Sequence, residues 1–209
     1  VTEWDLQADL TRAATSAPIS VAGMEARITG WEVMAPSWRV NDSRAYWGEP
    51  AVDFLGVVEA GRLAAIEIKP ASRGRVATAQ AAAQALASAL ALGHSVTREK
   101  VEYVYRAARA GALGRAALAQ NAPISQVIAS VAAGVDIDEL VRRPLLPIVA
   151  IHGWSAAEPR SMSLDEIQRD LSRSSSAASG RLARRLDDAM RQAGDATPPS
   201  VILCGTWAP

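Results

Sequence analysis

Lysine is almost missing from this sequence: twenty arginines fill its basic positions against two lysines, Lys69 and Lys100. A chain this averse to lysine keeps Lys69 for something arginine does not do. Cysteine occurs once, at Cys204, which excludes an internal disulfide and a zinc site built from cysteines, and a reducing cytoplasm is the expected setting. The amino-terminal VTEWDLQADL is charged early and has no apolar signal segment, so no export is expected. No window offers the uninterrupted apolar run of a spanning helix, so no membrane partner is expected. Formal net charge is zero, which excludes whole-molecule attraction to nucleic acid and leaves any such binding to local patches. No helix-turn-helix, zinc finger, nucleotide-binding loop or internal repeat is present.

What is there is an ordinary globular composition, 49% apolar and 21% charged over 209 residues, sized for one domain. Residues 2–14 read as a helix capped by Thr2, with Trp4, Leu6, Leu10 and Ala14 as its apolar positions. Residues 26–40 hold one or two strands with Trp31, Val33 and Trp38 as candidate core. Strands follow at Val52–Val58 and Leu63–Lys69. An alanine-rich helix over 76–92 stops at Gly93. Residues 97–143 read as a helical insertion, broken near Gly111, Pro123 and Gly134. LPIVAIHGW from Leu146 and VILCGTW near the end read as buried strands, with a polar helical stretch between, from Asp165 to Gln192, weak at its serine run and at Gly180. The expected architecture is α/β: one domain over 1–209, with a mixed β-sheet flanked by helices and an insertion at about 97–143.

The chemistry sits in one hairpin, EPAVDFLGVVEAGRLAAIEIK. If Glu59, Ala60 and Gly61 form a three-residue loop, Gly61 takes its left-handed position and Val58 faces Arg62. Counting back puts Asp53 across from Glu67 on one face, with Lys69 two residues beyond. The other face carries Val52, Phe54, Ile66 and Ile68. A two-residue loop would shift the register and send Asp53 to the wrong side. Two adjacent carboxylates repel unless a cation lies between them, and a hard divalent ion bound by oxygens is the usual solution. Magnesium is the expected ion, with manganese as its substitute. The Ile68 carbonyl is a candidate third ligand, and Lys69 would counter charge on a phosphate or help activate a water.

Pro50, Asp53 and then Glu67-Ile68-Lys69 after a hairpin resemble the PD-(D/E)XK nuclease superfamily, over roughly residues 2–93. Here Ala51 and Val52 separate proline from aspartate, where the name motif has them adjacent. The resemblance implies a restriction endonuclease-like fold and a magnesium-dependent deoxyribonuclease whose partner is DNA. Asp53 and Glu67 would bind metal and Lys69 would serve the water or the phosphate. It also implies an acidic residue on the first helix, for which Glu3 is the candidate and Asp5, Glu25 and Glu32 are rivals. Some branches add a glutamine on the helix after the lysine strand, and Gln80 and Gln84 share one face there. The tyrosine that accompanies it in the exonuclease branch is absent, and Ser88 stands in its place.

Other residues carry two readings each. Arg73 and Arg75 follow the lysine strand and either hold phosphates or are solvated. Arg169, Arg173, Arg181, Arg184 and Arg185 either line a nucleic-acid groove or form a solvated face. Trp38, Tyr46 and Trp47 either stack on bases or belong to the core. His152, ending an apolar strand, reads as structural. Residues 97–143 hold either a substrate determinant or a surface for a homodimer or partner protein. The competing function is a catalytically silent PD-(D/E)XK-like module that binds nucleic acid or protein.

Overall fold

The computed structural model describes residues 1–33, 52–58, 61–70, 74–95, 144–154, 158–194 and 197–205. The helical insertion expected at 97–143, together with Pro50, Trp38, Tyr46, Trp47 and Arg73, lies outside the described residues. Four helices and seven strands are described: α1 (Glu3–Ser16), β1 (Ile19–Val21), β2 (Met24–Val33), β3 (Val52–Val58), β4 (Arg62–Lys69), α2 (Arg75–Ser95), β5 (Leu146–Ile151), β6 (Arg160–Met162), α3 (Leu164–Ser172), α4 (Ala177–Ala193) and β7 (Val201–Cys204). The strands form one mixed sheet in the order β1-β2-β3-β4-β5-β7-β6. The first four are joined antiparallel, β4, β5 and β7 run parallel, and β6 returns antiparallel along the outer side of β7. The α/β class expected from the sequence is therefore the observed one.

Parallel neighbours need long crossovers, and helices supply them. α2 lies in the connection from β4 to β5, and α3 and α4 lie in that from β5 to β7. Alternation along β5 divides the core: Val149 and Ile151 pack with α2, α3 and α4, while Ile148 and Ala150 pack with Leu6 and Leu10 of α1 on the opposite face. β4 lies fourth of seven strands and is buried from Leu63 through Ile68. Anything polar on it is therefore taken out of water.

α1 begins with a capping box, in which Thr2 Oγ1 accepts from the Asp5 amide while the Asp5 carboxylate accepts from the Thr2 amide. Leu6 and Leu10, one turn apart, are its buried stripe. Trp4, expected in that stripe, is instead 78% exposed, because two residues before Leu6 is about 200° around a helix. The β1–β2 hairpin turns through Ala22 and Gly23, both with positive φ; its three-residue first strand gives too little alternation to read. β6 is equally short and equally invisible to periodicity. The long stretch after Asp165 breaks at the serine run into α3 and α4, while Gly180 lies inside α4.

α2 is the core helix. Ala79, Ala82, Ala83 and Ala85 are fully buried, and such small side chains let it lie close to the sheet and to α4. It continues through Gly93, where the chain was expected to stop, with Leu145 packed beside that glycine. By length and composition Arg75–Gly93 is apolar enough to cross a bilayer, with mean hydropathy 1.3, which corrects the expectation that no stretch qualifies. In the fold 67% of that window is buried inside the protein.

Ser88, the position of the missing tyrosine, is fully buried on α2 and its hydroxyl has no hydrogen-bond partner. A ring at this position would have to displace its neighbours. Ser88→Ala removes an unsatisfied hydroxyl and improves helix propensity, so it should stabilise the protein by about 1 kcal/mol. Urea denaturation checks this; a loss of stability would mean that the hydroxyl is satisfied after all.

Candidate metal centre

β3 and β4 pair with Val58 opposite Arg62 and Phe54 opposite Ile66, the register expected from the turn. Gly61, the described residue of that loop, has φ of 73°, a left-handed conformation that glycine accepts without steric cost. One step beyond the last pair, Asp53 faces Glu67. Phe54, Ile66 and Ile68 lie together in the core against α1. Val52, expected with them, packs with Leu55, Leu63 and Ala65. It pairs with β2 alone, so no ladder to β4 enforces its alternation.

α1 crosses this end of the sheet and brings Glu3 to the pair. One carboxylate oxygen each from Glu3, Asp53 and Glu67 lie within 4.8 Å of one another. Of the rivals to Glu3, Asp5 is held in the helix cap and Glu25 is exposed on the β1–β2 hairpin; the side chain of Glu32 falls outside the described residues. Asp53 is fixed from two sides: Oδ2 accepts from the Ile68 amide at 2.6 Å and Oδ1 accepts from Gln7 Nε2 at 2.8 Å. In an extended strand the N–H and C=O of one residue point the same way. The Ile68 carbonyl is thus on the Asp53 side of β4, while the Lys69 carbonyl turns the other way to accept from His152 N at 2.9 Å.

Gln7 is the residue the sequence reading missed. It lies four residues after Glu3 and therefore on the same helix face, a spacing that was the available signal.

Lys69 Nζ lies 3.0 Å from Glu3 Oε1 and 2.7 Å from Glu67 Oε1. The second contact is an ion pair by distance without the alignment of a hydrogen bond, and neither Glu67 oxygen has a hydrogen-bond partner although the residue is fully buried. Burial first, and then the Asp53 carboxylate, push Glu67 up to about 8, with Lys69 opposing them. For Lys69, burial alone would lower the pKa; the pull of Glu67, Asp53 and Glu3 outweighs it and holds the ammonium above the ordinary lysine value.

The donor set fits a hard divalent cation. Two of the carboxylates are buried, the Glu67 oxygens lack hydrogen bonds, and a backbone carbonyl lies on the same side. Asp53, Glu67 and the Ile68 carbonyl would hold the ion, with Glu3 close enough to join them.

The remaining sequence candidates are dispersed. Gln80 Nε2 donates to the buried Ser179 Oγ at 2.9 Å, so its amide joins α2 to α4 rather than facing a ligand. Gln84 is half-buried on the same helix. Arg75 opens α2 and is exposed, Arg169 on α3 and Arg173 at its C-cap are exposed, and Arg181, Arg184 and Arg185 belong to α4.

The raised Glu67 pKa gives a signed pH dependence. Between its ordinary value near 4.5 and about 8, the folded metal-free protein holds a proton that the unfolded chain releases, so this group's contribution to stability is lost as pH rises through that window. Glu67→Gln cannot ionise. Its stability advantage over the wild type in chelator should grow from pH 4.5 to 8 and then level off, by a few kcal/mol at most. Urea denaturation across pH checks this, and a pH-independent difference would contradict it.

Compared with known protein families, with curated proteins and with solved structures, the chain matches none of them.

Proposed function

We propose that this chain is a magnesium-dependent nuclease of the PD-(D/E)XK kind, with a restriction endonuclease-like fold, that hydrolyses DNA phosphodiester bonds at Asp53, Glu67 and Lys69. One observation carries the reading: Glu3, Asp53 and Glu67 converge within 4.8 Å around a lysine ammonium, with buried glutamate oxygens that no hydrogen bond satisfies. A cross-strand ion pair on an exposed hairpin, the ordinary alternative, would be solvated and weak. It would not bury Glu67 completely.

A divalent cation, when bound, would supply Lewis-acid chemistry at the phosphodiester. The protein's own groups do the rest. Asp53 is locked by Gln7 and the Ile68 amide into one orientation, so little is lost on engaging a ligand. Glu67 is held in low dielectric, where its charge acts strongly once neutralised. Lys69 lies against Asp53 and Glu3, and against Glu67 once that group is ionised, and their charges keep its proton, which suits it to stabilise negative charge developing on the phosphoryl oxygens rather than to act as a base. Glu3 restrains the ammonium from the helix side. An arginine in its place would present a broad planar fork where a compact ammonium is needed, which accounts for a lysine in a chain that otherwise uses arginine.

The test is cleavage of supercoiled, linear and single-stranded DNA with magnesium or manganese. The wild type should cut at least one of these, and Asp53→Asn and Lys69→Ala should each slow cutting by about 10²- to 10⁴-fold while remaining folded. Folded wild-type protein that cuts none of them, with either metal, would refute the nuclease assignment and favour a silent binding module.

A further inference from the structure

A polar cavity opens beside the hairpin, on the sheet face covered by α2 and α3. Its volume is about 590 Å³, within the range of small-ligand sites. It lies at the carboxyl ends of the parallel strands β5 and β7, where Ile151 and Leu203 form part of its wall. Ile151 pairs with Lys69 in the sheet, so the cavity begins one strand away from the carboxylate cluster. None of Glu3, Asp53, Glu67 or Lys69 lines it.

Its wall is basic beyond its own needs. Arg75, Arg160, Arg169 and Arg173 line it against two carboxylates, Glu166 and Asp170. Both carboxylates are already engaged, Glu166 by Arg160 at 3.0 Å and Asp170 by Arg173 at 2.7 Å. Arg75 and Arg169 have no ion-pair or hydrogen-bond partner among the described residues, which leaves two positive charges uncompensated.

One further set of donors points the same way. α2, a 21-residue helix, starts at the cavity wall beside Gly74, Arg75 and Thr78; the Thr78 amide donates to the Gly74 carbonyl, and the amides of Arg75, Val76 and Ala77, ahead of that bond, have no acceptor within the helix. The first turn of α2 also carries no acidic residue. Trp154 also lines the cavity, and its indole Nε1–H is enclosed within the protein beside it, so its resonance reports on an occupant.

We infer that this cavity is a phosphate-monoester site, in which Arg75 and Arg169 match the two charges of the ligand and the amides of Arg75, Val76 and Ala77 in the first turn of α2 donate to its oxygens. A monoester carries about −1.5 to −2 charge at neutral pH, equal to the uncompensated charge of the wall; an internal diester carries half of that. The monoester can come from the phosphorylated end of a nucleic-acid strand or from a free mononucleotide or inorganic phosphate. The site does not depend on cutting or on metal.

Binding is therefore read in chelator, from the Trp154 indole ¹⁵N–¹H resonance, assigned with Trp154→Phe. The probes are inorganic phosphate, a nucleoside 5′-monophosphate, and one oligonucleotide with either a 5′-phosphate or a 5′-hydroxyl. Inorganic phosphate or the monophosphate should shift the resonance saturably, with Kd below about 10 mM. Arg75→Gln and Arg169→Gln, both at exposed positions, should each weaken binding about tenfold, while Glu67→Gln should leave it unchanged. A 5′-phosphorylated strand that binds at least tenfold better than its hydroxyl counterpart identifies a strand end as the ligand. Equal binding by the two strands, with saturable binding of the free phosphates, identifies a small phosphate instead. No saturable binding of any phosphate, binding unaffected in the double arginine variant, or binding lost in Glu67→Gln would each overturn the assignment.

Discussion

The proposed metal chemistry depends on one electrostatic constraint: the Glu67 side chain sits on the fourth strand of seven, fully buried, next to the buried carboxylate of Asp53. Such a pair is costly in low dielectric. The fold offsets that cost in two ways. Lys69, two residues along the same strand, places an ammonium against Glu67, and Asp53 receives hydrogen bonds from Gln7 and the Ile68 amide. Lys69 reaches Glu67 Oε1 and leaves Oε2 without a partner, and a cation would satisfy it. Burial and the Asp53 charge push Glu67 up to about 8, the expression of that cost.

The rest of the architecture keeps that constraint in place. β4 can be buried on both faces because α1 covers one and α2 the other, and α2 can lie close to the sheet because alanine lines its buried surface. α1 contributes twice: Leu6 and Leu10 anchor it to the sheet, and the flanking face carries Glu3 and Gln7 to the cluster. The capping box at Thr2 and Asp5 fixes the start of the helix one residue before Glu3, so helix initiation and the position of a site residue are the same event. The parallel crossover after β4 then leaves the carboxyl ends of β5 and β7 open, and the arginine-lined cavity forms there.

The hairpin was legible because two independent signals agree on it. Alternation of Ile66 and Ile68 with Glu67 and Lys69 fixes the faces of β4, and a glycine at the left-handed loop position fixes the register; Val52, beyond the β4 ladder, does not follow it. Glu3 followed from the resemblance, and Thr2 from its cap. The role of Gln7 was not legible, since it depends on the angle at which α1 crosses the sheet, which tertiary packing sets. Trp4 misled for the opposite reason: it is apolar but lies off the stripe defined by Leu6 and Leu10. β1 and β6 escaped because three residues cannot display a period. The cavity was invisible because Arg75, Trp154 and Arg169 are far apart in sequence and come together through the β4–β5–β7 crossovers.

Diffraction from crystals grown with manganese, with anomalous differences measured at the manganese edge, tests the central claim most directly. The account predicts one strong peak coordinated by the Asp53 and Glu67 carboxylates and the Ile68 carbonyl, lost in crystals of Glu67→Gln. Saturating manganese that leaves no anomalous peak among Glu3, Asp53 and Glu67, in crystals that show those side chains ordered, would contradict it.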